Sequence, residues 1–369
     1  MKVLFLSAST GSGHIRAAEA IIETIFEGYP DSESLVVDSL KYINPLVDKL
    51  VVGGYLTAVR SSPKIYKKIY EKTESNEIIC NISKALNMVF SLRIYNLVKE
   101  TKPSAIVCTH PFPLHMLSAF KRKALANIPI ISVITDFVSH SFWINSHSDI
   151  YIVANEYLQY DLKERGIPSH KVFPYGIPVS QDFIIQRSRC MILKELELED
   201  RFTVLVMGGS LGIGDIVDTF KALLCVQRDI QIVAVCGQNH RLKKELESMS
   251  TDTVKSVKIL GYTNNISDLM EISDLIITKP GGMTAAEALV KQLPMLIISP
   301  IPGQEEGNAD FLVKSGAAQR LDGTDNISSV IEKMFDNPLL LKGMRQSAAA
   351  MSKPSASKDI ARLIYQLSV

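Results

Sequence analysis

The chain of 369 residues is 46% hydrophobic and 21% charged, which is typical of a globular protein and excludes a disordered chain. Its length suits two domains of ordinary size. The formal net charge of +1 gives no overall attraction to nucleic acid, so any contact with a membrane or polyanion must come from a local patch.

The five cysteines are scattered, and none forms a Cys-x-x-Cys pair. Several lie in apolar runs, so we expect reduced, mostly buried thiols. No apolar run approaches the roughly 18 residues of a membrane-spanning helix, and Met1–Leu6 is too short for a signal peptide. We therefore expect a cytoplasmic protein.

Apolar strands alternate with helical segments along the chain in two successive series. The first series has a helix at Ile15–Phe26 and strands at Val3–Ser7, Ser34–Val37, Ala105–Cys108, Ile130–Ile134 and Tyr151–Ala154. The second series has strands at Thr203–Met207, Gln231–Cys236, Val257–Leu260, Leu275–Thr278 and Met295–Ile298. This alternation predicts an α/β protein with parallel sheets that are covered by helices on both faces.

Each series carries a Gly-rich turn after its first strand, which favours two Rossmann-like domains facing each other across a cleft. We predict an N-terminal domain over residues 1–177 and a C-terminal domain over 178–350, because Gly and Pro interrupt the chain at Tyr175–Pro178. Residues 351–369 include a predicted helix at Asp359–Leu367 that could cross back to the N-terminal domain.

Residues 44–98 interrupt the first domain and contain no convincing strand. Apolar residues are interleaved with basic ones there, which suits amphipathic helices with a basic face. The basic residues are Lys49, Arg60, Lys64, Lys67, Lys68 and Lys72. Such helices can lie in an anionic membrane interface, or they can be ordinary helices with a solvated charged face.

The first Gly-rich turn, Gly11-Ser12-Gly13-His14, is a partial dinucleotide-binding fingerprint. Arg16 stands where the third glycine would be, and Asp38 follows the second strand where a ribose-binding acid would lie. An NAD-dependent enzyme is therefore a rival interpretation. His14 is a candidate general base, because the dipole at a helix start lowers the pKa of a histidine. Alternatively, His14 caps the helix or faces solvent.

Asp136 follows the strand Ile130–Ile134, and His140 and Trp143 come shortly after it. At the carboxyl end of a strand, Asp136 and His140 would face the predicted cleft. The structural alternatives are an Asx turn at Asp136 and a surface position for His140. The sequence has no Asp-x-Asp pair and no His-rich cluster, so we expect neither a metal nor another cofactor.

The segment Lys279–Glu287 follows a short apolar strand and leads into a helix predicted at Thr284–Gln292. A strand, a glycine turn and a helix N-terminus form an anion site, because free N–H groups and the helix dipole favour negative charge. The glycines at Gly281–Gly282 would let the backbone approach a phosphate. Thr284 and Glu287 also fit a capping box, which would explain the segment without a ligand.

The loop Pro300–Asn308 follows the next strand and is stiffened by two prolines. Gln304, Glu305 and Asn308 would project the mixture of donors and acceptors that a sugar needs. The alternative is the polar N-terminus of a helix, which is predicted at Gln304–Lys314.

In this order, these segments resemble the monogalactosyldiacylglycerol synthase and processive diacylglycerol β-glucosyltransferase family, part of a wider group of GT-B glycosyltransferases. The resemblance extends from residue 9 to about residue 310. The matching segments are Ser9–His14, Thr135–Phe137 with His140 and Trp143, Val235–Asn239, Leu260–Asn264, Lys279–Thr284 with Glu287, and Pro302–Glu305 with Asn308.

The resemblance implies a UDP-sugar site in the second domain. The residues for the diphosphate would be Gly209, Ser210, Gly281, Gly282, Met283 and Thr284. Those for the rest of the donor would be Glu287 for the ribose, Gly237, Gly261 and Tyr262 for the uracil, and Gln304 and Glu305 for the hexose. The other implied donor-binding residues are Gly13, Cys236 and Asn308. His14 would deprotonate the acceptor, with Asp136 as its partner or competitor, and His140 and Trp143 would line the acceptor side.

The family implies an inverting transfer from an α-linked UDP-hexose to the 3-hydroxyl of 1,2-diacylglycerol, with glucose favoured over galactose. It also implies a peripheral enzyme on the inner face of the cell membrane, with residues 45–72 on an anionic lipid surface and no nucleic-acid partner. A transferase with another lipid-linked or soluble acceptor, and a non-catalytic UDP-sugar-binding protein, remain as alternatives.

Overall fold

The computed structural model divides the chain into two compact units. Unit 1 comprises Met1–Gln181, Pro302–Gln304 and Lys353–Val369, and unit 2 comprises Asp182–Ile301 and Glu305–Ser352. The structure describes residues 1–8, 12–43, 91–121, 125, 127–144, 148–212, 214–251, 253–321, 323–324 and 326–368. The basic segment predicted at 45–72 lies outside these ranges, as does most of the interruption at 44–98.

Unit 1 is built on a parallel sheet of six strands in the order β2-β1-β3-β4-β5-β6. The strands are β1 (Lys2–Ser7), β2 (Glu33–Asp38), β3 (Ala105–Cys108), β4 (Ile130–Val133), β5 (Ile150–Ile152) and β6 (Val172–Phe173). The helices are α1 (Gly13–Gly28), α2 (Ser39–Ile43), α3 (Pro111–Lys121), α4 (Ser141–Ile144) and α5 (Glu156–Glu164), and residues 91–101 are also helical. The sequence predicts the first five strands but not β6, which has only two residues.

Unit 2 contains a second parallel sheet of six strands, in the order β12-β11-β10-β7-β8-β9. The strands are β7 (Phe202–Met207), β8 (Ile230–Val235), β9 (Ser256–Leu260), β10 (Leu275–Thr278), β11 (Met295–Ile297) and β12 (Ala318–Arg320). The helices are α6 (Arg189–Glu195), α7 (Ile216–Leu224), α8 (His240–Met249), α9 (Ile266–Glu271), α10 (Gly282–Val290), α11 (Gln304–Lys314), α12 (Ile327–Asp336) and α13 (Pro338–Met351). Strands β7, β8 and β10 are almost entirely buried, as expected for a parallel sheet covered on both faces.

The C-terminal helix α14 (Ala356–Ser368) packs in unit 1. Ile360 of this helix lies in the same apolar cluster as Ile21 of α1. The rings of Tyr29 and Tyr365 stack at a centroid distance of 4.2 Å. The end of the chain is therefore part of the core of the first unit.

The boundary between the units lies a few residues after the predicted one at 177/178. The hydroxyl of Ser357 donates to the carbonyl of Val179 at 2.7 Å, and the amide of Gln181 donates to the Thr24 hydroxyl at 3.1 Å. These bonds hold residues 179–181 on unit 1, which explains why the unit extends past Pro178.

The order of the strands reverses once in each sheet. In unit 1 the chain passes from β1 to β2 on one side and to β3 on the other, and in unit 2 strand β7 lies between β8 and β10. Ligands of open parallel sheets bind outside the carboxyl ends of the strands at such switch points. A ligand site is therefore expected at the turns after β1 and β3 in unit 1, and at those after β7 and β10 in unit 2.

Candidate active site

The turns after β7 and β8 contact each other through their backbones. The N–H of Gln238 donates to the Ser210 carbonyl at 3.0 Å. A Cβ atom on Gly237, where φ is +55°, would lie 2.4 Å from the same carbonyl oxygen. Gly209 also has a positive φ, of +69°. Only glycine fits at Gly237 without displacing the facing backbone.

The predicted uracil residues lie at the carboxyl ends of β8 and β9. The side chain of Cys236 belongs to the apolar core of unit 2, and burial raises the pKa of its thiol to about 11. Cys236 can therefore contact a uracil ring only through its backbone. Gly261 is partly buried and the Tyr262 side chain is exposed, so this turn is accessible at the edge of the sheet.

Helix α10 begins at the turn after β10, with Gly281 at its N-cap and Gly282 as its first residue. Within the described residues, no side chain caps this helix. The alternative of a capping box at Thr284 and Glu287 is therefore wrong, because Gly281 is the N-cap, Thr284 is the third helical residue and Glu287 is the sixth. The first N–H groups of α10, from Gly282 to Thr284, are left without a capping side chain. The side chain of Met283 is buried, so Met283 too contributes through its backbone.

The side chain of Asn308 binds the backbone of the turn between β10 and α10. This side chain is fully buried (0% exposed), and its amide donates to the Pro280 carbonyl at 3.1 Å. Asn308 was expected to present polar groups to the sugar, but its burial places it behind the glycine turn. It therefore fixes the backbone that leads into α10.

Lys279 and Glu305 form an ion pair beside the same turn. Lys279 Nζ lies 3.1 Å from Glu305 Oε1, and Glu305 Oε2 accepts the N–H of Ile301 at 2.7 Å. Neither fixed contact of Glu305 was predicted from the sequence. Lys279 was not assigned a role there, although it lies directly before the Pro-Gly-Gly turn.

The remaining residues that were predicted to bind the donor do not lie together in the turn before α10. Glu287 is almost fully buried on α10. Gln304 is the first residue of α11 and is grouped with unit 1, whereas Glu305 is grouped with unit 2. Gly13, which was also predicted to bind the donor, is the first residue of α1 in unit 1.

His14 lies at the switch point of unit 1, on the first turn of α1. Its Nδ1 atom is 2.8 Å from the Thr109 carbonyl and 3.0 Å from Thr135 Oγ1. A carbonyl oxygen can only accept, so Nδ1 carries the proton and the unprotonated Nε2 is the basic nitrogen. The turns after β3 and β4 thus select the tautomer of a residue on α1.

Burial lowers the pKa of His14 from 6.5 to about 4, and the hydrogen bond to Thr109 opposes the shift only in part. The sequence predicted a lowered pKa from the helix dipole, whereas the structure identifies burial as the main cause. At neutral pH the imidazole is uncharged and can accept a proton.

One other histidine, His110, contacts His14, although the sequence suggested no His-rich cluster. The rings of His14 and His110 meet edge to face at a centroid distance of 4.7 Å. Burial, followed by the charges of His14 and His115, lowers the pKa of His110 well below its usual value. Within the described ranges, no three His, Cys, Asp or Glu side chains are grouped so that they could hold a metal ion.

The other unit 1 candidates follow β4. Asp136 is partly buried just beyond the strand. His140 is buried, not on the surface, and its Nδ1 accepts the N–H of Phe142 at 3.1 Å. Trp143 is among the largest fully buried side chains, so its indole packs inside the unit instead of lining an acceptor surface.

None of the helices in the part of the chain that the structure describes is both long enough and apolar enough to cross a membrane.

Comparisons with known proteins identify two matching families. Residues 14–179 match the monogalactosyldiacylglycerol (MGDG) synthase model, and residues 203–363 match the glycosyltransferase family 28 C-terminal domain. The processive diacylglycerol beta-glucosyltransferase of Bacillus mycoides (strain KBAB4) is 27% identical over 367 residues, covering 97% of this chain and 92% of that protein.

Two solved structures share the fold of the whole chain. Acinetobacter baumannii MurG has a TM-score of 0.64 at 16% identity and covers 99% of both chains. The S. aureus MnaA–UDP co-structure has a TM-score of 0.64 at 14% identity, covering 99% of this chain and 96% of that one. Together with the two parallel sheets, these similarities confirm the predicted GT-B fold.

Proposed function

Because the chain belongs to the UDP-sugar-dependent glycosyltransferases that join an MGDG synthase domain to a family 28 C-terminal domain, we propose that it makes a β-glycosyl diacylglycerol. The donor is a UDP-hexose, glucose in preference to galactose, and the acceptor is the 3-hydroxyl of 1,2-diacylglycerol. Relatives that cover nearly the whole chain and are named processive diacylglycerol beta-glucosyltransferase support this choice of acceptor.

The observation that carries the proposal is the start of α10 at the switch point of unit 2. Gly281 and Gly282 bring backbone N–H groups and the positive end of the helix dipole to the carboxyl edge of the sheet. A diphosphate is the group of a UDP-sugar that such an edge binds. The same charges stabilise the UDP that departs, so the proposal includes no metal and no cofactor.

His14 is the proposed base. The acceptor oxygen attacks the anomeric carbon as its proton moves to Nε2 of His14, and the bond to UDP breaks with its electrons leaving on the phosphate oxygen. Attack opposite the leaving group converts an α-linked donor into a β-glycoside. The neutral imidazole and its fixed Nδ1–H support this role. Asp136 is the alternative base or the partner of His14.

The proposed setting is the inner face of the cell membrane, since diacylglycerol is a membrane lipid. The peripheral contact with anionic lipid is assigned to the basic segment 45–72, which lies outside the described residues. Co-sedimentation with anionic vesicles tests this part. A protein that stays in the supernatant with both anionic and neutral vesicles would favour a soluble acceptor.

Release of UDP is the direct test of the activity. Purified protein with diacylglycerol vesicles should release UDP from UDP-glucose, and more slowly from UDP-galactose. Nuclear magnetic resonance of the glycolipid should give a β-anomeric signal. If neither donor yields UDP above the rate without lipid, the proposed acceptor is wrong, and binding of UDP-sugar without turnover would indicate a non-catalytic binding protein.

A further inference from the structure

Lys279 has no assigned role, yet it lies between the two turns of the unit 2 switch point. We propose that Lys279 is a donor-binding residue that exchanges its ion-pair partner, leaving Glu305 for the diphosphate when a UDP-hexose binds. This inference rests on the proposed function, because it assumes that the edge of unit 2 holds a nucleoside diphosphate sugar.

In the ion pair, the Glu305 side chain is held by more contacts than the Lys279 side chain. Lys279 and Glu305 are only 14% and 17% exposed, and they are 3.1 Å apart. The second oxygen of Glu305 accepts the Ile301 N–H, so the carboxylate is held at both oxygens. Among the described residues, the ion pair with Glu305 is the one hydrogen bond that the Lys279 ammonium makes, and a flexible stem carries it. When the pair opens, the ammonium is therefore the group that moves.

The backbone of Lys279 belongs to the turn that leads into α10. Lys279 lies three residues before Gly282, and its carbonyl accepts the N–H of Gly281 at 2.9 Å. On the other side, a Cβ on Gly214 would lie 3.7 Å from the Lys279 Cδ. The stem therefore passes between the turns after β7 and β10, where the proposed diphosphate lies.

Charge gives the exchange its direction. A diphosphate carries more negative charge than one carboxylate and offers several oxygens to the three N–H donors of an ammonium. The carboxylate of Glu305 repels a diphosphate beside it, whereas Lys279 and the α10 dipole attract it. When the Lys279 ammonium moves to the diphosphate, the partly buried carboxylate of Glu305 loses its cation and needs other hydrogen-bond donors.

The hexose supplies those donors. After the exchange, Glu305 keeps the Ile301 N–H and can accept hydrogen bonds from sugar hydroxyls. UDP alone draws Lys279 away but gives Glu305 nothing in return. The pair therefore favours UDP-hexose over UDP, and it helps to expel UDP when the sugar has been transferred and the ion pair re-forms.

Calorimetric titration of UDP and UDP-glucose into four proteins tests the exchange: the wild type, Lys279→Met, Glu305→Gln and the double variant. We expect Lys279→Met to weaken both ligands roughly tenfold or more. Glu305→Gln should tighten UDP severalfold, because the Lys279 ammonium no longer has to leave a carboxylate. It should weaken UDP-glucose, because an amide NH2 group, which cannot accept, replaces one of the two oxygens available to the hexose. In the double variant, most of the gain in UDP affinity should disappear, because the ammonium that Glu305 competes for is absent.

Lys291→Met is the matched control. Lys291 lies just beyond the opposite end of α10, is 5% exposed, and pairs with Glu271 at 2.7 Å. Loss of this partly buried pair should lower the melting temperature and leave the Kd for UDP within about twofold. Lys279→Arg keeps the charge and should retain most of the affinity. If Lys279→Met does not fold, Lys279→Gln removes the charge with a polar side chain and should weaken both ligands to a similar extent.

The outcomes separate the inference from the function on which it rests. A wild-type protein that binds neither UDP nor UDP-glucose removes the proposed donor site, and the exchange with it. If the wild type binds UDP and Lys279→Met binds it equally well, the donor site stands and the exchange is wrong. The exchange is also wrong, although the donor site stands, if Glu305→Gln weakens binding of UDP and of UDP-glucose by the same factor.

Discussion

The carboxyl edges of the two sheets are built from different chemical groups. In unit 2, the turns after β7, β8 and β10 present backbone, with glycine at positions such as Gly237 and Gly281. In unit 1, the corresponding edge presents imidazole rings, with His14 and His110 in contact. Both edges lie at the switch point of a parallel sheet, so topology sets the place and the residues set the chemistry.

This difference suits different tasks. Backbone N–H groups have fixed dipoles that need no change of protonation, which suits an edge that holds an anion. An imidazole with one nitrogen fixed as a donor and the other basic can take up a proton, which suits an edge that activates a hydroxyl. Variants that affect only one of these tasks test whether the division is real.

The largest effect is expected from His14→Ala. Loss of a general base should lower kcat by roughly 10²- to 10⁴-fold, while the Kd for UDP stays within about twofold. Turnover and calorimetric titration of UDP measure the two quantities separately. His170→Ala, which removes an exposed histidine of the same unit, is the control and should change neither. A large loss of UDP affinity in His14→Ala would contradict the assignment of nucleotide binding to unit 2 and of proton transfer to unit 1.

A smaller effect, on stability, is expected at the glycine turns of unit 2. Gly209→Ala places a side chain at φ +69° with nothing within 4 Å of the new Cβ, so it should cost about 1–2 kcal/mol of unfolding free energy. Gly237→Ala adds a contact of 2.4 Å with the Ser210 carbonyl, and should cost about 1–3 kcal/mol more. Urea unfolding measures both. Equal losses would mean that the two turns can separate freely.

Asn308→Ala should act on the same edge through the Pro280 carbonyl. Losing the buried hydrogen bond should cost about 1–3 kcal/mol and weaken UDP binding severalfold, because the turn into α10 is less well fixed. Asn337→Ala is the control, since it removes the side-chain cap of α13, where Asn337 accepts the Leu340 N–H at 3.2 Å. That change should cost about 1 kcal/mol without affecting UDP binding. If both variants bind UDP equally well, Asn308 contributes only to stability.

The sequence predicts most of the buried strands and the helices α1, α11 and α14 well, because their signals are local, whereas α8, α12 and α13 were not predicted. Strands β3 and β10 and helix α11 begin and end at the predicted residues. Strand β12 is missed because only Ala318 in it is buried, which leaves no apolar run to recognise. The start of α10 was placed two residues late, because a glycine pair reads as a turn even when its second glycine is helical.

The site is less predictable, because it depends on contacts between distant residues. His14 and His110 are far apart in the chain, and only the adjacency of β1 and β3 brings them together. The pair of Lys279 with Glu305 likewise depends on β10 and β11 being neighbours. Burial decides the roles of Trp143 and Asn308, and a polar or aromatic residue in a loop gives no local signal of it.

The smallest expected effect is the response of unit 1 to mild acid. With a pKa of about 4 for His14, nearly all of the imidazole is neutral at pH 6.0, so kcat/KM should change little between pH 7.5 and 6.0. A base with the ordinary histidine pKa of about 6.5 would lose about fourfold over that range. Protonation lowers activity here, because only the neutral form accepts the proton of the acceptor, so the acid limb should appear as the pH falls toward 4. A fourfold loss by pH 6.0, with UDP affinity unchanged, would mean that burial does not keep His14 neutral, and that the edge of unit 1 is open to water during turnover.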